Sequence, residues 1–505
     1  MSAARPIRRV LIANRGEIAV RIARACRELG IESVAVYSEP DRTALHVQVA
    51  DHAYPVGPAP ASHSYLVSDA ILAAARQSGA DAIHPGYGFL AENATFARRC
   101  AEAGLVFIGP SPEAMAAMGD KVEARKRMIA AGVPVVPGSE DALGDDAVAT
   151  EAERIGYPVM LKASAGGGGK GMRLVGSPSE MGSALRAVRS EARASFGDDR
   201  VYLEKLVVGP HHIEVQVLAD TEGTTVHVFE RECSVQRRHQ KVIEESPSPF
   251  IDDAIRDAMG EVAVRAARSV GYLGAGTIEF LVDADRRFHF LEMNTRIQVE
   301  HPITEMVTGI DLVQAQIRIA AGERLPWRQE DIRQRGHAIE CRIYAEDPAT
   351  FFPSPGTISR LRVPGGIGIR DDAGVYEGAE VTVHYDPMIS KLVAWGTDRD
   401  EAIRRMRRAL AEYRIQGLAS NLPFHRWVLR SPRFLAGDYD TSFVTQEYRG
   451  LGSPDLDDGD PEAVAIAAAA VAMLERQQAA TGRAAAPARA ASPWRDAARR
   501  EGLRG

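Results

Sequence analysis

The stretch that decides the fold is Gly276-Thr-Ile-Glu-Phe-Leu-Val-Asp283, then Ala284 to Arg287, then Phe288-His-Phe-Leu-Glu-Met-Asn294. Two runs of β-branched and aromatic residues around a polar segment predict a β-hairpin with a two- or four-residue turn centred between Asp285 and Arg286. In that register Glu279 should face Glu292, with Cβ atoms ~5 Å apart. Opposed carboxylates require a proton or a cation between them, and oxygen ligands favour Mg²⁺ or Mn²⁺ over zinc. The hairpin therefore predicts a divalent-metal site, with a solvated polar face as the alternative.

Polar residues continue to alternate downstream of the hairpin. If the chain stays extended, one face carries Glu292, Asn294, Arg296, Gln298 and Glu300. An arginine offers a planar fork for a carboxylate-like anion, and a neighbouring carboxylate could accept a proton. This segment predicts an anion site with a general base.

Upstream lies the glycine run Ala165-Gly-Gly-Gly-Gly-Lys-Gly-Met172. Successive glycines let backbone N–H groups approach phosphate oxygens, so a flexible phosphate lid is one interpretation and a plain linker is the other. The run is not a P-loop, because Ser164 and Gly171 stand where that motif requires glycine and Ser or Thr.

Lysine is rare in this chain, with seven lysines against 54 arginines. Each lysine therefore marks a place where a compact point charge is wanted, although chance clustering explains the pattern equally well. Five of them fall in the motif-bearing middle: Lys121, Lys162, Lys170, Lys205 and Lys241.

The N-terminal region predicts a parallel sheet with flanking helices. Strand 9–14, helix 17–29 and strand 33–37 form a βαβ unit, and further helices and strands alternate up to residue 108. The first βα turn, Asn14-Arg-Gly-Glu17, lacks G-x-G-x-x-G, so no dinucleotide site is predicted there.

Composition restricts the class of protein. A length of 505 residues predicts about three domains, and a net charge of −7 without long single-sign blocks disfavours nucleic acid or an anionic membrane as a partner. The longest apolar stretch, 463–474, is too short to span a bilayer. Four widely spaced cysteines predict free thiols in a reducing compartment, with the cytoplasm as the default.

Several motifs in this order closely resemble biotin carboxylase, a family of the ATP-grasp superfamily, over roughly residues 7 to 445. They are Asn14-Arg-Gly-Glu-Ile-Ala19, His84-Pro-Gly-Tyr-Gly-Phe-Leu-Ala-Glu-Asn93, Met118-Gly-Asp-Lys121, the glycine run, Gln236-Arg-Arg-His-Gln-Lys241, Glu292-Met-Asn-Thr-Arg-Ile-Gln-Val-Glu-His301 and Tyr385-Asp-Pro-Met388. The resemblance implies an α/β ATP-grasp fold. Its parts would be a Rossmann-like N-terminal domain (1–120), an ATP-grasp domain (125–321) with a lid at about 135–203, a C-terminal biotin carboxylase domain (336–445) and a helical, low-complexity extension (450–505).

The same resemblance implies the reaction and its cofactors. Bicarbonate would be activated by ATP with Mg²⁺ or Mn²⁺ to carboxyphosphate, and its carboxyl group transferred to biotin, as the first half-reaction of an acetyl-CoA or other acyl-CoA carboxylase. No Met-Lys-Met biotinylation motif is present, so the biotin would arrive on a separate carrier protein. The implied partners are therefore a biotin carboxyl carrier protein, carboxyltransferase subunits and a second copy of this chain.

The resemblance also assigns roles to individual residues. ATP contacts would come from Lys121, Lys162, Gly168, Gly169, His212, Gln236, His239, Leu281, Glu279, Glu292 and the adenine hinge Glu204, Lys205, Leu206 and Val207. Glu279, Glu292 and Asn294 would hold the metals, and Lys241, Arg296, Gln298 and Val299 would hold bicarbonate. Glu300 would be the base, Arg342 would stabilise the biotin enolate, Tyr87 would line the biotin site, and Arg24 and Glu28 would lie at a dimer interface.

Two alternatives stay open at the level of sequence. Another ATP-grasp ligase, such as a carbamoyl-phosphate or purine-pathway enzyme, would share the acidic hairpin but not the run from Arg296 to His301. A non-catalytic scaffold would bind ATP only as a structural ligand.

Two residue-level assignments also stay open. Arg24 and Glu28, which the resemblance places at a dimer interface, also suit a local i,i+4 ion pair. Tyr344 and the tail around Ser492-Pro-Trp-Arg495 look more like the α chains of propionyl- or methylcrotonyl-CoA carboxylases, which leaves the acyl acceptor undecided.

Overall fold

A parallel five-stranded sheet forms the N-terminal region of the computed structural model, which describes residues 6–164 and 171–450 and, beyond them, Met473 alone. The strand order is β3-β2-β1-β4-β5, because the buried aliphatic strand β1 pairs with both β2 and β4. The predicted βαβ alternation is confirmed. The strands are β1 (Arg9–Ile12), β2 (Glu32–Ser38), β3 (His52–Gly57), β4 (Ala82–His84) and β5 (Val106–Phe107). The helices are α1 (Gly16–Glu28), α2 (Leu45–Val49), α3 (Ser68–Ser78), α4 (Ala94–Glu102), α5 (Pro112–Gly119) and α6 (Lys121–Ala130).

A small three-stranded antiparallel sheet follows, in the order β7-β6-β8. Its core of valines and leucines packs against two helices. The elements are α7 (Asp145–Ile155), β6 (Val159–Ala163), β7 (Met172–Val175), α8 (Pro178–Phe196) and β8 (Val201–Lys205). The predicted phosphate-lid residues Gly168 and Gly169 lie outside the described residues, as does the predicted extension after Gly450 apart from Met473.

An eight-stranded antiparallel sheet makes up the rest of the core, in the order β13-β12-β9-β10-β11-β14-β19-β17. Strand β14 hydrogen-bonds directly to β11, so one sheet continues from the predicted ATP-grasp segment into the C-terminal segment. Its strands are β9 (His211–Ala219), β10 (Thr225–Arg237), β11 (Gln240–Ser246), β12 (Gly274–Val282), β13 (Phe288–Asn294), β14 (His337–Tyr344), β17 (Ile369–Ala373) and β19 (Met388–Gly396). Four short strands form two separate pairs: β15 (Gly356–Thr357) with β18 (Glu380–Val381), and β16 (Arg360–Arg362) with β20 (Arg414–Gln416).

Helices cover this sheet with aliphatic and aromatic side chains. They are α9 (Asp253–Ser269), α10 (His301–Thr308), α11 (Leu312–Ala320), α12 (Arg399–Glu412), α13 (Leu422–Val428), α14 (Pro432–Ala436) and α15 (Phe443–Glu447). Within the described residues, no helix is both long and apolar enough to cross a membrane. All four cysteines are buried free thiols.

The acidic hairpin confirms the predicted pairing of Glu279 with Glu292 but reaches it by a different route. The amide of Asp283 bonds to the carbonyl of Arg287, which leaves a three-residue loop with Arg286 at φ +63°. The predicted two- or four-residue turn is therefore wrong. A register shift next to Glu279 compensates for the difference, so the two carboxylates still oppose each other.

Strand β10 bends the large sheet. Its pairing with β9 shifts register between His227 and Glu230, and its pairing with β11 shifts register between Glu232 and Gln236. Such bulges increase the bend and twist of a strand. In a flat sheet β11 and β12 would lie three strand spacings apart, roughly 14 Å. The bend turns their inner faces toward each other, and side chains from both strands meet.

A buried ion pair fastens the C-terminal helices to this sheet. Glu245 on β11 accepts hydrogen bonds from Arg399 Nε (2.7 Å), from His337 Nε2 (2.5 Å) and from the hydroxyl of Tyr439. Burial opposes ionisation of Glu245, but Arg399 and His337 outweigh it and lower the pKa of the carboxyl to about 2.

Glu245→Gln should lower the free energy of unfolding by about 3 kcal/mol at pH 7, because Arg399 would lose its buried counter-charge. A carboxyl whose folded-state pKa is depressed contributes stability above its unfolded pKa of roughly 4.3 and loses it as pH falls toward 2. The difference between wild type and variant should therefore shrink on acidification. Urea unfolding at several pH values measures this, and a difference that stays constant with pH would contradict the assignment.

Candidate active site

Lys241 lies at the centre of a buried cluster of acids inside the bent sheet. Its Nζ contacts Glu214 Oε2 at 2.5 Å, Glu300 Oε1 at 2.7 Å and Glu279 Oε1 at 2.9 Å. Burial opposes the ammonium charge, but the three carboxylates hold the pKa of Lys241 well above its usual value. One lysine from β11 thus organises carboxylates from β9, β12 and the loop before α10.

Arg231 supports this cluster from β10 and is fully buried. Its guanidinium donates to Glu214 (2.5 Å), Gln216 (2.8 Å) and Gln298 (3.2 Å), and to the hydroxyls of two threonines. Because it saturates one oxygen of Glu214, the other oxygen is left for Lys241. The acids are therefore held rigidly by fixed cations.

The opposed acids Glu279 and Glu292 each meet a lysine. Glu279 contacts Lys241, and Glu292 Oε2 lies 3.1 Å from Lys121 Nζ. Asn294 donates Nδ2 to Glu279 Oε1 at 2.8 Å. Carboxylate and amide oxygens are the ligands that Mg²⁺ prefers, and both acids already attract cations. The donor set at this end of the hairpin fits a divalent cation.

The segment after Asn294 corrects the sequence prediction of one continuous strand. Strand β13 ends at Asn294, and residues 295–300 form a loop rather than an alternating wall. The loop nevertheless folds its polar side chains to the same place. Arg296 Nη2 donates to Asn294 (2.9 Å), and Gln298 Nε2 donates to Glu279 (2.7 Å). Arg296 is also paired with Glu92 at 3.1 Å.

Glu300 connects Lys241 with Arg342 on β14. One of its oxygens accepts from Lys241 and the other from Arg342 Nη2 at 3.0 Å. Burial raises the pKa of Glu300, but the two cations outweigh this effect and hold it well below its usual range. Arg342 also donates Nε to Glu244 at 2.6 Å. The predicted base and the predicted enolate-stabilising arginine are thus in direct contact.

A second group of charges, two cations around one carboxylate, lies between the small sheet and α6. Lys162 Nζ contacts Glu204 Oε2 at 2.5 Å, and Arg125 Nη1 contacts the other oxygen at 3.3 Å. Lys205 directs its ammonium to the carbonyls of Gly156 and Tyr157. The predicted hinge residues Leu206 and Val207 follow directly and are partly buried.

His212 links the predicted nucleotide-binding residues to Glu279, one of the predicted metal ligands. Its Nε2 lies 2.8 Å from Glu279 Oε2, and its Nδ1 accepts from Gln236 Nε2 at 2.7 Å. Leu281 pairs with His212 across the neighbouring strands. His239 lies apart from this set, exposed in the turn between β10 and β11 with φ +66°.

A buried lysine, Lys391, lies near both Tyr87 and Val299 and had no predicted role. Lys391 is 0% exposed, donates to the carbonyl of Val299 at 2.9 Å and lies 3.0 Å from Glu17 Oε2. The Tyr87 hydroxyl donates to the other oxygen of Glu17. This group fixes the backbone directly before Glu300.

Arg24 and Glu28 are both exposed on α1. Among the ion pairs of the described residues they do not form one with each other, and Glu28 instead accepts from Gln314 at 2.8 Å. The alternative of a local i,i+4 pair is therefore wrong.

Besides Arg231, Arg125 and Glu17, four further residues contact the predicted site but received no role from the sequence. Glu214 could have been found, because His212, Glu214 and Gln216 alternate along one strand. Lys391 could have been found as one of only seven lysines. Glu92 lies inside a quoted motif, whereas Glu244 gave no local signal. All four contact residues that the sequence did predict.

Three protein-family profiles match consecutive segments of the chain. They are the biotin carboxylase N-terminal domain at residues 6–115, the carbamoyl-phosphate synthase L chain ATP binding domain at 120–328 and the biotin carboxylase C-terminal domain at 340–446.

Characterised relatives match over most of the chain. Biotin carboxylase of Halalkalibacterium halodurans is 55% identical over 443 residues, covering 88% of this chain and 98% of that protein. The propionyl-CoA carboxylase alpha chain of Ruegeria pomeroyi is 49% identical over 486 residues, covering 92% of this chain and 71% of that protein. The biotin carboxylase domain dimer of Hydrogenobacter thermophilus 2-oxoglutarate carboxylase, solved with MgADP, ADP and bicarbonate, is 47% identical with a TM-score of 0.86, covering 90% and 99%.

Proposed function

Because this chain belongs to the biotin carboxylase family, we infer that it catalyses the ATP-dependent carboxylation of biotin with bicarbonate, using Mg²⁺. The observation that carries this inference is the contact of Glu300 with both Lys241 and Arg342. It brings a base, an anion-binding ammonium and a fixed guanidinium to one point, as the transfer of a carboxyl group between two bound substrates requires.

We propose that ATP lies between the small sheet and the acidic hairpin. Lys121 and His212 contact the hairpin acids Glu292 and Glu279. On the other side Lys162 contacts Glu204, and the segment 204–207 begins at the end of β8. In this proposal the adenine contacts that segment, Gln236 and His239 lie near the ribose and phosphates, and Gly168 and Gly169 close over the phosphates. The family resemblance supports these last assignments.

Glu279, Glu292 and Asn294 would hold the divalent cation. A bound Mg²⁺ would neutralise charge on the phosphates during phosphoryl transfer. Lys121 and Lys241, which contact these acids here, would then be available to the phosphate and bicarbonate oxygens.

Glu292→Gln should raise the Mg²⁺ concentration needed for half-maximal activity by at least tenfold, because it removes one anionic ligand of the cation. Glu292 is partly exposed and its partner is a lysine, so the fold should survive. A Mg²⁺ titration of ATP turnover gives the result, and Glu323→Gln on an exposed position is the control. An unchanged Mg²⁺ requirement would refute the ligand assignment.

Bicarbonate would bind beside Lys241, Arg296 and Gln298, at the backbone of Val299. Glu300 takes the proton from the bicarbonate hydroxyl, the freed oxygen attacks the γ-phosphorus, and ADP leaves. Lys241 and Arg342 stabilise Glu300 as an anion, which makes it a weak base. A bicarbonate that draws Lys241 away from Glu300 would raise the basicity of this carboxylate.

Biotin would bind on the Arg342 side, next to Tyr87. Carboxyphosphate breaks down to CO₂ and phosphate, the phosphate accepts the proton of the ring nitrogen, and that nitrogen attacks the CO₂. The guanidinium stabilises the negative charge that develops on the ureido oxygen in this step. Arg342 can do so without leaving Glu300, because its Nε is held separately by Glu244.

We further propose that the biotin is carried by a separate protein, that a carboxyltransferase chooses the acyl acceptor, and that the chain forms a homodimer through the surface with Arg24 and Glu28. Exposure of both residues supports the last point. Four free buried cysteines support a cytoplasmic location.

The decisive experiment incubates the purified chain with ATP, Mg²⁺, free biotin and isotopically labelled bicarbonate. We expect ATP turnover that depends on bicarbonate and acid-labile label on biotin. ATP turnover that is indifferent to bicarbonate and biotin would instead support a different ATP-grasp ligase, and no turnover at all would support a scaffold.

A further inference from the structure

Two glutamates oppose each other behind Arg342. Glu244 on β11 pairs directly with Glu340 on β14, and both side chains are 0% exposed. Among the residues that the structure describes, neither oxygen of Glu340 has a hydrogen-bond partner, and neither has Oε2 of Glu244. Buried carboxylate oxygens are rarely left unpaired, so this pair requires an explanation.

The cations near the pair are already engaged. Arg342, two residues from Glu340 on the same face of β14, donates to Glu244 and Glu300. Lys391, on the neighbouring strand β19, attracts the charge of Glu340 and so opposes the rise of its pKa. Its ammonium is nevertheless held by Glu17 and by the Val299 carbonyl. Lys241 on β11 is bound to three other acids.

Within residues 6–164 and 171–450, no further cation compensates this pair of acids. The titratable groups of the packed helix α10, His301 and Glu305, bond elsewhere, to the Gln298 carbonyl and to Arg21 and Arg370. Glu300 adds negative charge, and the nearby thiols of Cys233 on β10 and Cys341 on β14 have raised pKa values. Two adjacent ionised carboxylates would therefore share one guanidinium that a third acid also uses.

Ionisation of both acids is accordingly unfavourable. Burial raises the pKa of Glu244 to about 7, despite the opposing effect of Arg342. Burial and the charge on Glu244 raise the pKa of Glu340 well above its usual value. Glu340 is the member that lacks a cation of its own.

We propose that Glu340 is a protonated positioning residue: it donates its carboxyl proton to Oε2 of Glu244, which keeps Glu244 anionic and holds Arg342 toward the biotin side of the site. An ionised Glu340 would compete with Glu300 for the same guanidinium, whereas a neutral one does not. The positioning of Arg342 for biotin rests on the function proposed above. The proton on Glu340 is inferred from the paired carboxylates alone and does not depend on that function.

Two substitutions of similar size separate the possible roles. Glu340→Gln keeps an N–H donor for Glu244, whereas Glu340→Leu removes it and leaves the anion without a partner. We expect the KM for free biotin to stay within twofold of wild type in the glutamine variant and to rise at least fivefold in the leucine variant. Circular dichroism and urea unfolding verify that both variants are folded.

The proton itself is observed by infrared difference spectroscopy of the whole chain at pH 7. The spectrum of the wild type minus that of Glu340→Gln should show a carboxylic acid C=O band, because only the wild type carries the protonated Glu340. The spectrum of the wild type minus that of Glu244→Gln should lack this band, because Glu340 stays protonated in the Glu244→Gln variant. Absence of the first band would overturn the bound proton. Equal KM values in the glutamine and leucine variants would overturn the positioning role. Failure of the proposed function would appear separately, as wild-type enzyme without biotin-dependent turnover.

Discussion

Glu300→Gln is expected to reduce the kcat for bicarbonate-dependent ATP turnover by about 10²- to 10⁴-fold, the usual contribution of a positioned general base. Glutamine has nearly the shape of glutamate but cannot take the bicarbonate proton. Lys241 keeps Glu214 and Glu279 as partners, and Arg342 keeps Glu244, so neither cation is left unpaired. The loss should therefore be chemical rather than structural.

Steady-state assays with saturating ATP and bicarbonate measure the effect, and nucleotide binding by calorimetry should be unchanged. The matched control is Glu323→Gln, the same chemical change at an exposed glutamate. A Glu300→Gln enzyme that retains more than a tenth of wild-type kcat would exclude Glu300 as the base.

Lys241→Met should cause the largest combined loss, of stability by about 3–5 kcal/mol and of all measurable activity, because three buried carboxylates lose their common cation. The loss should depend on pH. Without Lys241 the folded-state pKa values of Glu279 and Glu300 rise, so the variant takes up protons on acidification that the wild type does not. The stability difference should be greatest at neutral and alkaline pH and should decrease as pH falls below about 5.

Urea unfolding from pH 3 to 8 measures this trend. The double variant Lys241→Met with Glu279→Gln should recover part of the stability, because Glu279 is the one of the three acids that has no arginine partner once Lys241 is removed. Lys126→Met, at an exposed lysine, is the control and should leave unfolding unchanged. A pH-independent loss in Lys241→Met would mean that packing, rather than charge, dominates at this position.

The regular parts of the structure could be predicted from local patterns. Alternating buried strands and helices gave the N-terminal parallel sheet, and two apolar runs around a polar turn gave the hairpin with Glu279 opposite Glu292. Such features depend on residues close in sequence, and their periodicity is visible in a single chain.

The irregular parts could not be predicted in this way. The loop 295–300 departs from strand geometry, yet its side chains reach the site because Arg231, Glu92 and Lys391 anchor it from distant segments. The compensating register shift beside Glu279 and the burial of Glu340 without a cation are likewise set by tertiary packing. No local spacing encodes them.

The bulges of β10 have a consequence for how this enzyme can vary during evolution. Curvature of the reaction chamber is specified by extra backbone units, two in β10 and one in β11, whereas the acids project from other strands and from the loop before α10. Substitutions of site side chains can therefore change the reaction while the backbone of the sheet stays the same. Loss of a single bulge residue would flatten the chamber and separate Lys241 from Glu279 without removing any catalytic group, so insertions and deletions in β10 are the changes that natural selection must reject.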